Sequence, residues 1–138
     1  MIPQLVRWFP SALPSVRIGI LGCGVSGAAA AIAITRRMEG PIELVLADAS
    51  GHFGSGFAHG PAARRGELLN VRARDLSIVP GEPDDFVDWL RREDADNPSP
   101  EAFLPRATFG RYVGQRLQET LRVRPDVTVT WLVDEALS

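Results

Sequence analysis

The chain has 138 residues, 45% of them hydrophobic, with a formal net charge of −2. This length suits one ordinary domain with a real core, and the near-balanced charge gives no reason to expect nucleic acid or a polyanionic partner. All fifteen basic residues are arginine, which excludes Schiff-base and P-loop lysines, and the single cysteine, Cys23, excludes an internal disulfide and a thiolate metal cluster.

Residues 1–15 contain Pro3, Pro10 and Pro14 and only short apolar clusters, which predicts a loosely ordered leader without the apolar core of a signal peptide. Residues 16–21 read as a strand whose near-continuous apolarity suits burial on both faces of a parallel sheet. A helix is expected over 25–38, with alanine-rich first turns, ended by Gly40-Pro41. The apolar stretch 16–34 is broken by four glycines, so it reads as strand, turn and helix rather than a membrane span. Residues 42–47 form a second strand, giving a right-handed βαβ opening.

After Asp48 the pattern changes. Residues 49–67 are glycine-rich, hold both histidines and have almost no apolar periodicity, which predicts a long functional loop. Residues 68–71 and 76–79 read as short extended pieces. Pro83 opens a short helix with Phe86, Trp89 and Leu90 on one face. A polar connector over 94–100 leads to a helix over 108–121, with Phe109, Tyr112, Val113, Leu117 and Leu121 as its buried stripe. Pro125-Asp126 is a turn, and residues 127–132 form a further strand. The predicted fold is α/β, a Rossmann-like parallel sheet with a helical insertion after its second strand.

The pattern Gly22-x-Gly24-x-x-Gly27 lies between the first strand and the first helix. Gly22 permits the tight turn, Gly24 lets the backbone approach a pyrophosphate, and Gly27 lets the helix sit close to the strand. The amides of Val25, Ser26 and Gly27 then point out of the helix N-terminus, where they can donate to phosphate oxygens. Asp48 follows the last motif glycine by about 20 residues, where a ribose-binding carboxylate is expected. It is expected to accept both ribose hydroxyls and to repel a 2′-phosphate. Together these features imply a site for the ADP half of a dinucleotide. Cys23, at a variable position of the turn, is expected to be a small filler, and His52 and His59 to be loop residues rather than acid–base groups.

From Asp48 to the next strong strand the chain spends far longer than a plain NAD-binding unit does. Along this excursion lie Gly54-Ser55-Gly56-Phe57-Ala58-His59, Leu68-Leu69-Asn70-Val71, Asp85-Phe86-Val87-Asp88-Trp89-Leu90, and Leu104 to Val113 with its Pro105-Arg106-x-x-x-Gly110-x-Tyr112 pattern. In this order and spacing the chain resembles the N-terminal part of the bacterial FAD/NAD(P)-binding flavoprotein oxidoreductase family, and more distantly the flavin-dependent N-hydroxylating monooxygenases. His59 stands where that family usually has an aromatic residue such as tyrosine. The resemblance implies FAD as cofactor, with Gly22, Gly24, Gly27 and Asp48 holding its ADP moiety. It further implies that Gly54 and Gly56 lie near the ribityl and pyrophosphate region. Asn70 and Arg106 become candidates for polar contacts near the isoalloxazine, against the plainer roles of capping a turn and pairing with a neighbouring acid.

The family resemblance also implies NAD(P)H as reductant of a full-length enzyme with a small-molecule substrate; the lone cysteine agrees with a cytoplasmic setting, and the charge balance and the glycine-broken apolar stretch give no reason to expect a nucleic-acid or membrane partner. No second G-x-G-x-x-G occurs, so residues 16–138 are expected to be the N-terminal portion of a longer domain, inactive and weakly FAD-binding by themselves. The alternatives are an NAD-dependent dehydrogenase domain, or a dinucleotide-binding module without turnover.

Overall fold

The computed structural model describes residues 15–135 other than 62, 65, 94 and 95, so the expected leader lies almost wholly outside the described residues. Strand β1 (Val16–Leu21) runs into helix α1 (Val25–Arg37) and strand β2 (Ile42–Ala47). The excursion holds a single helical turn, α2 (Gly56–His59), a 3-10 turn (Ala73–Asp75) and helix α3 (Asp85–Glu93). Helix α4 (Arg106–Arg122) then leads to strand β3 (Val127–Leu132).

The three strands are parallel, in the order β1-β2-β3, with Val16 beside Ile42 and Ile42 beside Val127. Each step across the sheet is in the same direction. Right-handed crossovers therefore place α1 and α4 on the same face, and the two helices pack against each other. Ile42, Leu44 and Leu46 are buried in one hydrophobic cluster with Ala28, Ala31 and Ile32 of α1 and Tyr112, Val113 and Leu117 of α4. This is the α/β, Rossmann-like arrangement expected.

β1 departs from expectation. Within the described sheet it is flanked by β2 alone, and Val16 (46%) and Leu21 (72%) are exposed. Residues 68–71 and 76–79 form no strand. Leu68 makes only an isolated antiparallel bridge to Pro105, and the Leu69 amide donates to the Leu104 carbonyl at 2.8 Å. Helix α4 starts at Arg106 rather than Thr108, since Pro105 is well suited to precede a helix.

Helix α1 ends under Arg124, whose guanidinium donates to the carbonyls of Thr35, Met38 and Gly40 while pairing with Asp126. Helix α3 is tied to α4 by Tyr112 and Arg116, which both donate to Asp85 at 2.8 Å. Among the described residues no helix is long and apolar enough to cross a membrane.

Candidate dinucleotide site

The turn is built from backbone. The Gly22 amide donates to the Ala47 carbonyl at 2.8 Å, which fixes the end of β1 to the end of β2. Gly22 has φ +86°, a conformation open to glycine and costly for L side chains. Helix α1 begins at Val25 with no side-chain cap and no acid in its first turn, and its first internal bond is from the Ala28 amide to the Gly24 carbonyl. The amides of Val25, Ser26 and Gly27 are thus the orphan donors of a helix N-terminus. Gly27 is buried against the turn: a Cβ there would stand 2.1 Å from the Gly22 carbonyl oxygen.

Asp48 is joined to this turn directly. Its Oδ2 accepts the Cys23 amide at 2.9 Å, and its Oδ1 accepts both the amide (2.9 Å) and the hydroxyl of Ser50. The residue is only 9% exposed. Ser50 is exposed, and its Oγ also accepts the His52 amide at 3.1 Å. Beside Asp48 is a cavity of about 350 Å³ lined by Leu21, Gly22, Ala47, Ala49, Asp134 and Glu135. Asp134 and Glu135 therefore share this cavity with Asp48.

The loop after β2 returns to the turn. The Gly54 amide donates to the Cys23 carbonyl at 2.7 Å. Gly56 touches Gly24, where a Cβ would come within 2.9 Å of the Gly24 Cα, and a Cβ at Gly54 would come within 2.7 Å of the Gly114 Cα of α4. The structure thus brings Gly22, Gly24, Val25, Ser26, Gly27, Asp48, Gly54 and Gly56 into one cluster.

Asn70 and Arg106 stand apart from it. The two lie on neighbouring segments, since the Arg106 amide donates to the Glu67 carbonyl at 2.9 Å. Neither lines the cavity at Asp48. The Arg106 guanidinium sits 3.9 Å from Glu67, the plainer of its two expected roles. A larger cavity, about 530 Å³, lies between residues 51–61, α4 and Trp131, and includes both histidines, Arg111 and Gln118. Neither Asn70 nor Arg106 lines it.

Cys23 is fully buried, and burial pushes its thiol up to about 11. His59 packs edge-on against Phe109, and partial burial together with the Arg106 charge lowers its pKa from the ordinary value. The Cys23 thiol is therefore protonated at neutral pH. Among the described residues no group of three or more His, Cys, Asp or Glu side chains is placed to hold a metal ion. Ser50, Asp134 and Glu135 were not singled out by the sequence reading. For Ser50 a signal was present, because a serine two residues after an aspartate is a common turn-forming pair.

Residues 19–138 match a family model described as FAD-NAD(P)-binding. A search of curated proteins finds no match. The match covers nearly the whole chain, and the chain belongs to that family.

Proposed function

We propose that this member of the FAD-NAD(P)-binding family holds FAD, with the pyrophosphate on the amides of Val25, Ser26 and Gly27 and the adenosine ribose at Asp48. The observation that carries the choice of FAD is the contact between Gly56 and Gly24. The excursion after β2 does not run away from the phosphate turn but packs onto it, where the extra length of a flavin dinucleotide needs cover. The donor set fits: uncapped amides, a helix dipole and no acid in the first turn of α1 suit a diphosphate. Asp48, with Asp134 and Glu135 on the cavity rim, favours a free ribose over a 2′-phosphate.

FAD supplies hydride acceptance from a reduced nicotinamide and onward reduction of a substrate or of oxygen. This chain's own residues bind, orient and shield. In this reading the protein serves an NAD(P)H-dependent flavoprotein oxidoreductase or monooxygenase.

The test is residue-resolved titration of the ¹⁵N-labelled chain with FAD, NAD⁺, NADP⁺ and ADP. FAD and ADP should shift the amides of Val25, Ser26 and Gly27, with FAD binding more tightly than NAD⁺ and NADP⁺ weakest. Asp48→Ala should weaken ADP about tenfold, as loss of a charge-assisted hydrogen bond does. Tighter binding of NAD⁺ than FAD would overturn the choice of cofactor. An unmoved phosphate turn would overturn the site.

A further inference from the structure

We infer that Ser50 Oγ, not a second carboxylate oxygen of Asp48, is the acceptor for one of the two ribose hydroxyls. This rests on the reading of Asp48 as the ribose residue and changes how that residue works.

A carboxylate offers about four acceptor sites, two on each oxygen. Oδ1 of Asp48 already takes the Ser50 amide and the Ser50 hydroxyl, so it is full. Oδ2 takes the Cys23 amide and has one site left. A ribose diol brings two donors, and the carboxylate can accept only one of them. The serine hydroxyl supplies the missing place. Its proton goes to Asp48, one lone pair takes the His52 amide, and the other is free. Because Ser50 donates to an ionised carboxylate, its oxygen is polarised into a better acceptor. Asp48 is 9% exposed and lines the cavity, whereas Ser50 is an exposed residue bonded to Asp48 but not among the cavity's lining residues.

There is a definite alternative. A ribose hydroxyl could displace the Ser50 hydroxyl from Oδ1 and restore a fully bidentate carboxylate. In that case Ser50 competes with the ligand, and its removal leaves affinity unchanged or improves it.

The experiment measures affinities of ADP, 2′-deoxy-ADP and 3′-deoxy-ADP for the 138-residue chain and for Ser50→Ala, Ser50→Thr and Asp48→Ala. Ser50→Ala keeps the backbone amide bond to Oδ1, so the loop is retained. It should weaken ADP several-fold. Against one of the two deoxy analogues the loss should vanish, because that analogue lacks the hydroxyl Ser50 accepts. Ser50→Thr, which keeps the hydroxyl, should restore most of the affinity. Unchanged or tighter ADP binding by Ser50→Ala overturns the inference. So does an equal loss for ADP and both analogues, which would mean that Ser50 only supports the loop. If Asp48→Ala itself leaves ADP binding unchanged, it is the ribose reading of Asp48 that fails.

Discussion

The Gly27 α-carbon faces the carbonyl oxygen of Gly22 so closely that a single added methyl would stand 2.1 Å from it. The atom in the way is backbone, and it belongs to the turn that would meet the phosphate. Gly27→Ala should therefore push α1 away from β1 and cost about 2–3 kcal/mol, the upper range for overpacking. Gly22→Ala offers the contrast. Open space surrounds its Cβ position, and only the left-handed φ opposes it, so about 1–2 kcal/mol is expected. Urea denaturation of the two variants checks the order.

Tyr112 is fully buried, and its hydroxyl both donates to Asp85 and accepts the Ile78 amide at 3.3 Å. Tyr112→Phe leaves that amide unpartnered and loosens α3 from α4, at a cost of about 1–2 kcal/mol. The denaturation midpoint should fall with the slope unchanged.

Thr35 carries a buried hydroxyl that has no hydrogen-bond partner among the described residues. Thr35→Val keeps the shape and removes the unsatisfied group. It should stabilise the fold by about 1 kcal/mol, seen as a raised melting temperature.

His59 should titrate below its ordinary value of 6.5, since burial and the Arg106 charge both oppose protonation. The unfolded chain binds a proton at His59 near 6.5, whereas the folded chain binds it only at lower pH. The unfolded state therefore holds more protons in that window, and this group's contribution makes stability fall as pH drops through it. Arg106→Ala should move the His59 midpoint upward in an NMR titration. An unmoved midpoint would remove the electrostatic link between them.

Cys23 should resist alkylation while the chain is folded. A thiol pushed from 9.0 to about 11 has roughly a hundredfold less thiolate at pH 8, before any loss of access through burial. The rate of iodoacetamide labelling, native against urea-unfolded, measures this.

All three strands, Val16–Leu21, Ile42–Ala47 and Val127–Leu132, have the bounds read from the sequence. Each is a short apolar or β-branched run between glycine, proline or aspartate signals, which local chemistry defines well. The buried stripe of α4 was equally legible, because helical period and burial coincide there. The exposure of β1 was not legible, since an apolar run looks the same whether the strand has a neighbour on one side or on both. Nor was the state of the Asp48 carboxylate. Spacing located the acid, but its bonds to Cys23 and Ser50 depend on how the turn and loop fold back on it.

Around the phosphate turn, Gly24 meets Gly56 and Gly54 meets Gly114 with nothing but hydrogen between the backbones. A wall made this way has almost no side chain to vary. The surface beside the proposed pyrophosphate should therefore tolerate substitution very unevenly. Exposed Phe57 and Ala58 can change freely, while one carbon added at Gly54 or Gly56 dislodges the loop from both its neighbours. In a random mutant library, this region should split into silent positions and lethal ones, with few of intermediate effect.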